Sequence, residues 1–249
     1  FVGAFPLRAA TGLARGFDRY DDDFLRSPSS GRWAVERRAD QVVDAALEWV
    51  ERAGDAQPLF VWLHLFDPHT PYEPPPPQAA AFPGEPYDGE IAYTDAAIGR
   101  LFERLRARRL YDRAVILVVA DHGESLGEHG ERTHGTFLYD ATIRVPLIIR
   151  LPGARLAGTR VRAPVETADI APTIAHLAGA SLPATIDGQS LMPRLQGEAG
   201  DLERATYAES YYQNVLLGWS PLRAARTARW KFIEAPRPEL YDLERDPGE

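Results

Sequence analysis

Asp121 and His122 stand side by side in the tract Ala120-Asp121-His122-Gly123-Glu124-Ser125-Leu126-Gly127-Glu128-His129-Gly130. A carboxylate beside an imidazole supplies one oxygen and one nitrogen donor, and Gly123 permits close backbone approach, so the pair has the makings of half a metal site. Packing offers a second account, in which Asp121 caps a helix beginning near Glu124 and His122 fills space. The pair by itself leaves both open. His134, in Thr133-His134-Gly135, follows across a loop of Gly, Glu and Ser that can fold back over the same rim. His69 sits in a second constellation, His64-Leu65-Phe66-Asp67-Pro68-His69-Thr70-Pro71-Tyr72, just past another apolar run. His64 lies inside that run and is expected in the core, while His129 and His176 default to structural or solvated roles.

Delivering such side chains to one rim requires strands that end there. The apolar runs 59–66, 114–120 and 146–150 show almost no alternation, which suits strands buried on both faces. Between them, apolar residues at helical spacing predict amphipathic helices over 35–53 (Val42, Val43, Ala46, Leu47, Val50) and 90–109 (Ile91, Ile98, Leu101, Phe102, Leu105). Strands alternating with helices of this length predict an α/β fold, a mostly parallel sheet with helices on both faces, with ligands bound beyond the strand ends. Residues 1–5 could form a strand, with loop following to 32. Residues 70–86, with Pro74-Pro75-Pro76-Pro77, are predicted to run as an extended surface loop.

Asp169 is placed to cap a helix through 177, with Gly179 past its end. After Asp187-Gly188 the rhythm changes, and short strands near 206–209, 223–226, 230–233 and 239–243 predict a small antiparallel sheet. The expected division is therefore residues 1–192 and 193–249, with 192–203 as the boundary.

The 249 residues carry a net charge of -8, which argues against nucleic acid as the main partner. No apolar run approaches the roughly 20 residues that span a bilayer. Cysteine is absent, which removes disulfides and thiolate chemistry from this stretch. Neither a native start nor a signal sequence is visible at Phe1, so the expectation is a piece of a longer protein.

Taken together, Gly16-Phe17-Asp18, Asp67-Pro68-His69-Thr70-Pro71-Tyr72, Tyr87-Asp88-Gly89-Glu90 and Asp121-His122-Gly123-Glu124 resemble the sulfatases of the alkaline-phosphatase superfamily. Thr133-His134-Gly135, Arg144-Val145-Pro146, Asp169-Ile170-Ala171-Pro172-Thr173 and Glu239-Leu240-Tyr241-Asp242-Leu243 follow in the same order. The resemblance runs nearly end to end and implies an alkaline-phosphatase-like fold and hydrolysis of sulfate esters. It implies that Asp121 and His122 are metal ligands, that His69 contacts the sulfate and protonates the leaving alcohol, and that His134 holds the cationic, sulfate-contacting position often filled by Lys. It also implies one divalent ion, Ca²⁺ by family habit, although a nitrogen ligand at His122 would suit Zn²⁺ or Mn²⁺ better.

The family's nucleophile is a formylglycine made in a Cys/Ser-x-Pro-x-Arg motif. Ser181-Leu182-Pro183-Ala184-Thr185 lacks the Arg and lies on the wrong side of Asp121. Asp21-Asp22-Asp23, a tempting stand-in for the family's metal-binding aspartate pair, is expected to be a solvated charge run. The nucleophile is thus expected upstream, and this stretch alone is expected to be inactive. The expected substrate is a sulfate-ester small molecule or glycan, with no nucleic acid partner. A phosphoryl-group hydrolase or a phosphoethanolamine or phosphoglycerol transferase of the same superfamily is the alternative. Only the resemblance speaks to location, and it points to a periplasmic, extracellular or membrane-tethered protein.

Overall fold

In the computed structural model of the chain, residues 1–24, 36–54, 57–198 and 204–249 are described. They form two compact units, Phe1–Arg113 and Ala114–Glu249, and the expected boundary at 192–193 falls inside the second. Among the described residues, no helix is long and apolar enough to cross a membrane.

The first unit is built on α1 (Ala39–Ala53), α2 (Pro76–Ala81) and α3 (Pro86–Ala107). The spacing of apolar residues in α1 gives it two buried edges. Ala39 and Val43 meet Tyr93 and Ala97 of α3, with Leu63 and Leu65 packed beside them. Val42 and Ala46 meet Phe1, with Trp49 and Val61 alongside. The start of the predicted helix at 35, and the part of the predicted loop at 25–32, lie outside the described residues.

Three expectations for this unit need correction. The run 59–66 is neither a paired strand nor buried on both faces, Leu59 and Phe60 being exposed. Its one ladder contact is a parallel bridge between His64 and Val2, because the 1–4 stretch beside it is too short to pair further. The Pro-rich stretch is not wholly extended, since α2 opens within it. Pro76 and Pro77 occupy the first turn of α2, where a missing N–H costs nothing. Asp21 is not a solvated charge: it is 9% exposed and pairs with Arg37 at 2.5 Å and Arg19 at 2.7 Å. Asp22 accepts from the Ala9 amide at 2.7 Å.

The second unit opens with β1 (Ile116–Val119), α4 (Asp140–Ile143) and β2 (Leu147–Arg150). β1 and β2 pair antiparallel, Ile116 opposite Arg150 and Val119 opposite Leu147, so this two-stranded ribbon departs from the predicted parallel arrangement. Among the described residues the parallel contact is the Val2–His64 bridge. α5 (Ile170–Ala178) and α6 (Met192–Leu195) follow, and residues 199–203 of the expected boundary lie outside the described residues.

The predicted C-terminal antiparallel sheet is present. It has the order β3 (Thr206–Ser210), β4 (Leu222–Arg226), β5 (Trp230–Glu234) and β6 (Glu239–Asp242), with α7 (Tyr212–Leu217) between the first two strands. Alternation along the strands turns Ala224 and Ile233 inward against Leu138, with Tyr139 and Ile143 packed around them. The sheet also grips α4 electrostatically. Asp140, the first residue of α4, accepts from Arg226 at 3.1 and 3.2 Å and from the buried Lys231 at 3.1 Å. α4 in turn fixes the loop after β1: the Gly123 amide donates to the Thr142 carbonyl at 2.7 Å, and a Cβ on Gly123 would stand 2.2 Å from the Ala141 carbonyl oxygen.

Asp169 serves a different end from the one expected. Gly179 closes α5 in the left-handed region, but the Asp169 carboxylate makes no cap to α5. It is fully buried and accepts from the Glu166 and Gln189 amides at 2.9 Å each, while Arg204 pairs with it at 2.7 Å. Burial by itself would raise the Asp169 carboxyl, but the Arg204 guanidinium and the two amides more than reverse that and hold it below the usual carboxylate range. Asp140 is lowered in the same manner, burial being outweighed by Lys231 and Arg226. A carboxylate lowered on folding contributes stability above its unfolded pKa, roughly 3.9 for Asp. That contribution is lost as the pH falls through the lower folded value.

Asp169→Ala should therefore cost about 3 kcal/mol in urea unfolding, because it strips two amides of their acceptor and leaves the half-buried Arg204 with Glu166 alone. The variant's stability should also fall less steeply than that of the parent on acidification below roughly pH 4. Equal acid sensitivity in the two proteins would assign the pH dependence to other carboxylates. Gly123→Ala should cost about 1–3 kcal/mol through the clash with Ala141. An unchanged unfolding midpoint would show that α4 yields to the added methyl group.

Candidate active site

The loop from Asp121 to Tyr139 has little regular structure, and its shape comes from side chains that accept or donate to its own backbone. Ser125 is 1% exposed, its amide donates to the Thr133 carbonyl at 2.9 Å, and its hydroxyl lies 3.0 Å from the carbonyls of both Glu128 and Glu131. The Glu131 carboxylate accepts the Thr136 amide at 2.8 Å and the Phe137 amide at 3.2 Å. These contacts draw the two ends of the loop together, and with them His122 and His134.

The two imidazoles stack, with centroids 3.9 Å apart and planes at 27°. Nδ1 of His122 lies 2.9 Å from the Gly123 carbonyl, which can only accept, so Nδ1 carries the hydrogen and Nε2 presents the lone pair. That Nε2 is 3.8 Å from Asp121 Oδ1. Two ligands of one divalent ion, each about 2.0–2.6 Å from it, stand roughly 3–4 Å apart. The spacing, with Nε2 the nitrogen that keeps a lone pair, therefore fits a cation held between Asp121 and His122. Both side chains are open to a third component, at 75% and 41% exposure. Among the described residues no group of three or more potential ligands forms, so the pair supplies two positions and no more.

Glu124 is the residue that sequence reasoning left without a role. Its side chain is 4% exposed, and Oε2 meets His134 Nδ1 at 3.1 Å. This contact orients His134 with Nε2 turned away from Glu124. The available signal was an acid placed directly after Gly123 in an irregular loop, with no periodicity to explain it.

His129 and His176 match their expected structural roles. His129 stacks on Tyr139 at 3.6 Å, and His176 Nδ1 lies 3.1 Å from the Ser190 hydroxyl.

His69 belongs to the first unit. Its ring stacks on Phe66 at 4.1 Å, and Nδ1 lies 2.7 Å from the Thr70 carbonyl, which leaves Nε2 as the nitrogen able to gain or give a proton. The loop that carries it is tied down by Asp67, whose carboxylate accepts the Ala39 amide at 2.8 Å while its carbonyl accepts from the Thr94 hydroxyl at 3.0 Å. Burial raises the Asp67 carboxyl, against the lowering effect of the Ala39 amide and Arg38. A small polar cavity of about 40 Å³ borders His69, Asp67, Glu73, Glu90 and Arg38. The structure thus brings Asp121, His122 and His134 together within one unit and places His69 in the other.

Comparison with known proteins identifies the family. The family model described as Sulfatase matches residues 5–180, and that described as N-sulphoglucosamine sulphohydrolase, C-terminal, matches residues 127–249. The choline-sulfatase of Rhizobium meliloti (strain 1021) is 37% identical over 168 residues, covering 66% of this chain and 31% of that protein. Arylsulfatase K of Mus musculus is 29% identical over 245 residues, covering 90% of this chain and 43% of that protein. The chain thus spans well under half the length of these relatives. Among solved structures, the phosphonate monoester hydrolase of Agrobacterium radiobacter superposes with a TM-score of 0.72 at 23% identity, over 86% of this chain and 56% of that one. A protein solved with its substrate D-glucosamine-2-N,6-O-disulfate superposes with a TM-score of 0.70 at 21% identity, over 84% of this chain and 64% of that one. These likenesses show a shared fold. With the match to the Sulfatase model extending over most of its length, this chain belongs to the sulfatase family.

Proposed function

We propose that the protein to which this chain belongs hydrolyses sulfate esters, with Asp121 and His122 as two ligands of a divalent cation, His134 holding the transferred sulfate and His69 protonating the leaving alcohol. The observation that carries this reading is the convergence of Asp121, His122 and His134 in one loop of a sulfatase-family chain, with the lone pair of His122 directed away from the backbone. The remaining metal ligands and the nucleophile, a formylglycine by family resemblance, would come from sequence outside this chain. So would the strands that complete a parallel sheet covered by helices. Family resemblance favours Ca²⁺, and the oxygen and nitrogen donors of Asp121 and His122 would equally suit Mn²⁺ or Zn²⁺.

The cation, when bound, supplies positive charge against the negative charge that develops on the sulfuryl group. The chain's own residues hold the sulfate and deliver the proton. Glu124 fixes the His134 ring so that its Nε2–H can be offered to a sulfate oxygen. The Thr70 carbonyl holds Nδ1 of His69, so its proton leaves from Nε2 to the departing alkoxide as the S–O bond breaks. The proposed substrate class is a sulfate ester of a small molecule or glycan, as in the neighbour solved with a sulfated glucosamine. A second reading, hydrolysis of phosphonate or phosphate monoesters, is favoured by the likeness to phosphonate monoester hydrolases. Turnover of a sulfate and a phosphonate ester of the same alcohol by the full-length enzyme separates the two, the larger kcat/KM naming the activity.

Metal content of the purified full-length protein should drop in Asp121→Ala and His122→Ala, and unchanged stoichiometry in both would remove them as ligands. Loss of a leaving-group acid should cost roughly 10²–10⁴-fold in turnover of an alkyl sulfate. His69→Ala should show that loss and a far smaller one for a nitrophenyl sulfate, whose phenolate departs unaided. His134→Ala should slow both esters by similar factors, with partial recovery in His134→Lys. Equal dependence of the two alanine variants on leaving-group pKa would mean that the acid is another residue.

A further inference from the structure

Glu90 lies in the second turn of α3 and is only 4% exposed, an expensive place for an ionisable group unless its oxygens are satisfied. They are satisfied by backbone. Oε2 accepts the His69 amide at 3.1 Å and Oε1 accepts the Glu73 amide at 2.8 Å, so one carboxylate spans both ends of the turn that carries His69. Pro74 packs on Gly89, where a Cβ would come within 2.9 Å of its ring, so α3 itself is seated against the far side of the same turn.

We propose that Glu90 is a positioning residue for His69, fixing the imidazole through the backbone without touching substrate. The inference rests on the reading of His69 as the leaving-group acid. His69 is then held at three points: its own amide by Glu90, its Nδ1 by the Thr70 carbonyl, and its ring face by Phe66. Removing the first point leaves a ring that still stacks and still hydrogen-bonds, but on a turn free to shift. A proton donor is sensitive to shifts of this size, since transfer demands close alignment with the departing oxygen.

The ionised form of Glu90 is the one that performs this task, because a protonated carboxyl has one oxygen converted to a donor that faces an N–H. Burial raises the Glu90 carboxyl to about 7, working against the Glu73 and His69 amides and Arg38, and reinforced by Asp67. The other charged groups around the cavity are Glu36 and Arg37, from the segment leading into α1, and Glu73 from the turn itself. The clamp is therefore complete above neutral pH and weakens as the pH falls through 7.

The test compares Glu90→Gln, His69→Ala and the double variant in the full-length enzyme. Gln keeps the shape but turns an amide donor toward one of the two N–H groups. Glu90→Gln should lower kcat for an alkyl sulfate by about 10- to 100-fold, with KM little changed and nitrophenyl sulfate much less affected. The double variant should be no slower than His69→Ala alone. In the parent enzyme, the backbone amide resonances of residues 69 and 73 should move together with a midpoint near pH 7. That movement should persist in His69→Ala and disappear in Glu90→Gln. A Glu90→Gln variant that slows both esters equally, or only melts earlier, would reduce Glu90 to a structural clamp. If His69→Ala itself fails to discriminate between the esters, the acid assignment falls and this proposal with it. Should Glu90→Gln not fold, the amide titration in the parent and in His69→Ala still decides: no shared midpoint at residues 69 and 73 overturns the proposal.

Discussion

A loop that leaves regular structure while its backbone is shielded from water must find acceptors for its N–H groups, and here the acceptors are carboxylates. Glu131 takes the amides of Thr136 and Phe137, Glu90 those of His69 and Glu73, Asp67 that of Ala39, and Asp169 those of Glu166 and Gln189. The same clamps dictate where the histidines stand. His69 is held at its own amide, and His134 lies between the Ser125–Thr133 contact and the Glu131 amide pair.

The C-terminal sheet belongs to this system although it carries none of the candidate site residues. Its inner face packs on Leu138, Tyr139 and Ile143, and Arg226 and Lys231 grip Asp140 at the start of α4. α4 then receives the Gly123 amide. Position is therefore relayed from the sheet to α4 to Gly123, and from there to the adjacent Asp121 and His122. β3 and α7 are joined to the same loop, Ser210 of β3 donating to the Gly135 carbonyl at 2.6 Å and Gln213 of α7 to the Thr136 hydroxyl at 3.0 Å.

What the sequence disclosed follows from periodicity and from motif order. α1, α3, β1, β2 and the four C-terminal strands all lie where apolar spacing put them, although β1 and β2 are only half-buried and not covered on both faces. The run 59–66 misled because continuous hydrophobicity fixes neither pairing nor burial: Leu63 and Leu65 pack against the α1–α3 core, but Leu59 and Phe60 are exposed and only His64 forms a bridge. The same limit concealed the antiparallel sense of β1 and β2, which no side-chain pattern encodes. Asp21 looked solvated because Arg37, its buried partner, is distant along the chain. Glu90 and Glu124 lay inside recognisable motifs, but their work is done on backbone amides and a ring nitrogen that only folding brings near. Asp121, His122 and His134 were visible because loop composition and motif order coincide there.

Lys231 is the single lysine of this sequence, and its side chain is 0% exposed between Asp140 and Glu249. The remaining side-chain cations are arginines, so β5 holds the one side-chain primary amine. Within these residues a lysine-specific protease consequently finds a single peptide bond to cut, and that bond sits in an interior strand of the four-stranded sheet. Cleavage then requires the strand to leave its two neighbours, and its rate, when reclosing is fast, reports the free energy of that local opening. The sheet that positions the loop after β1 thus carries its own built-in gauge of integrity.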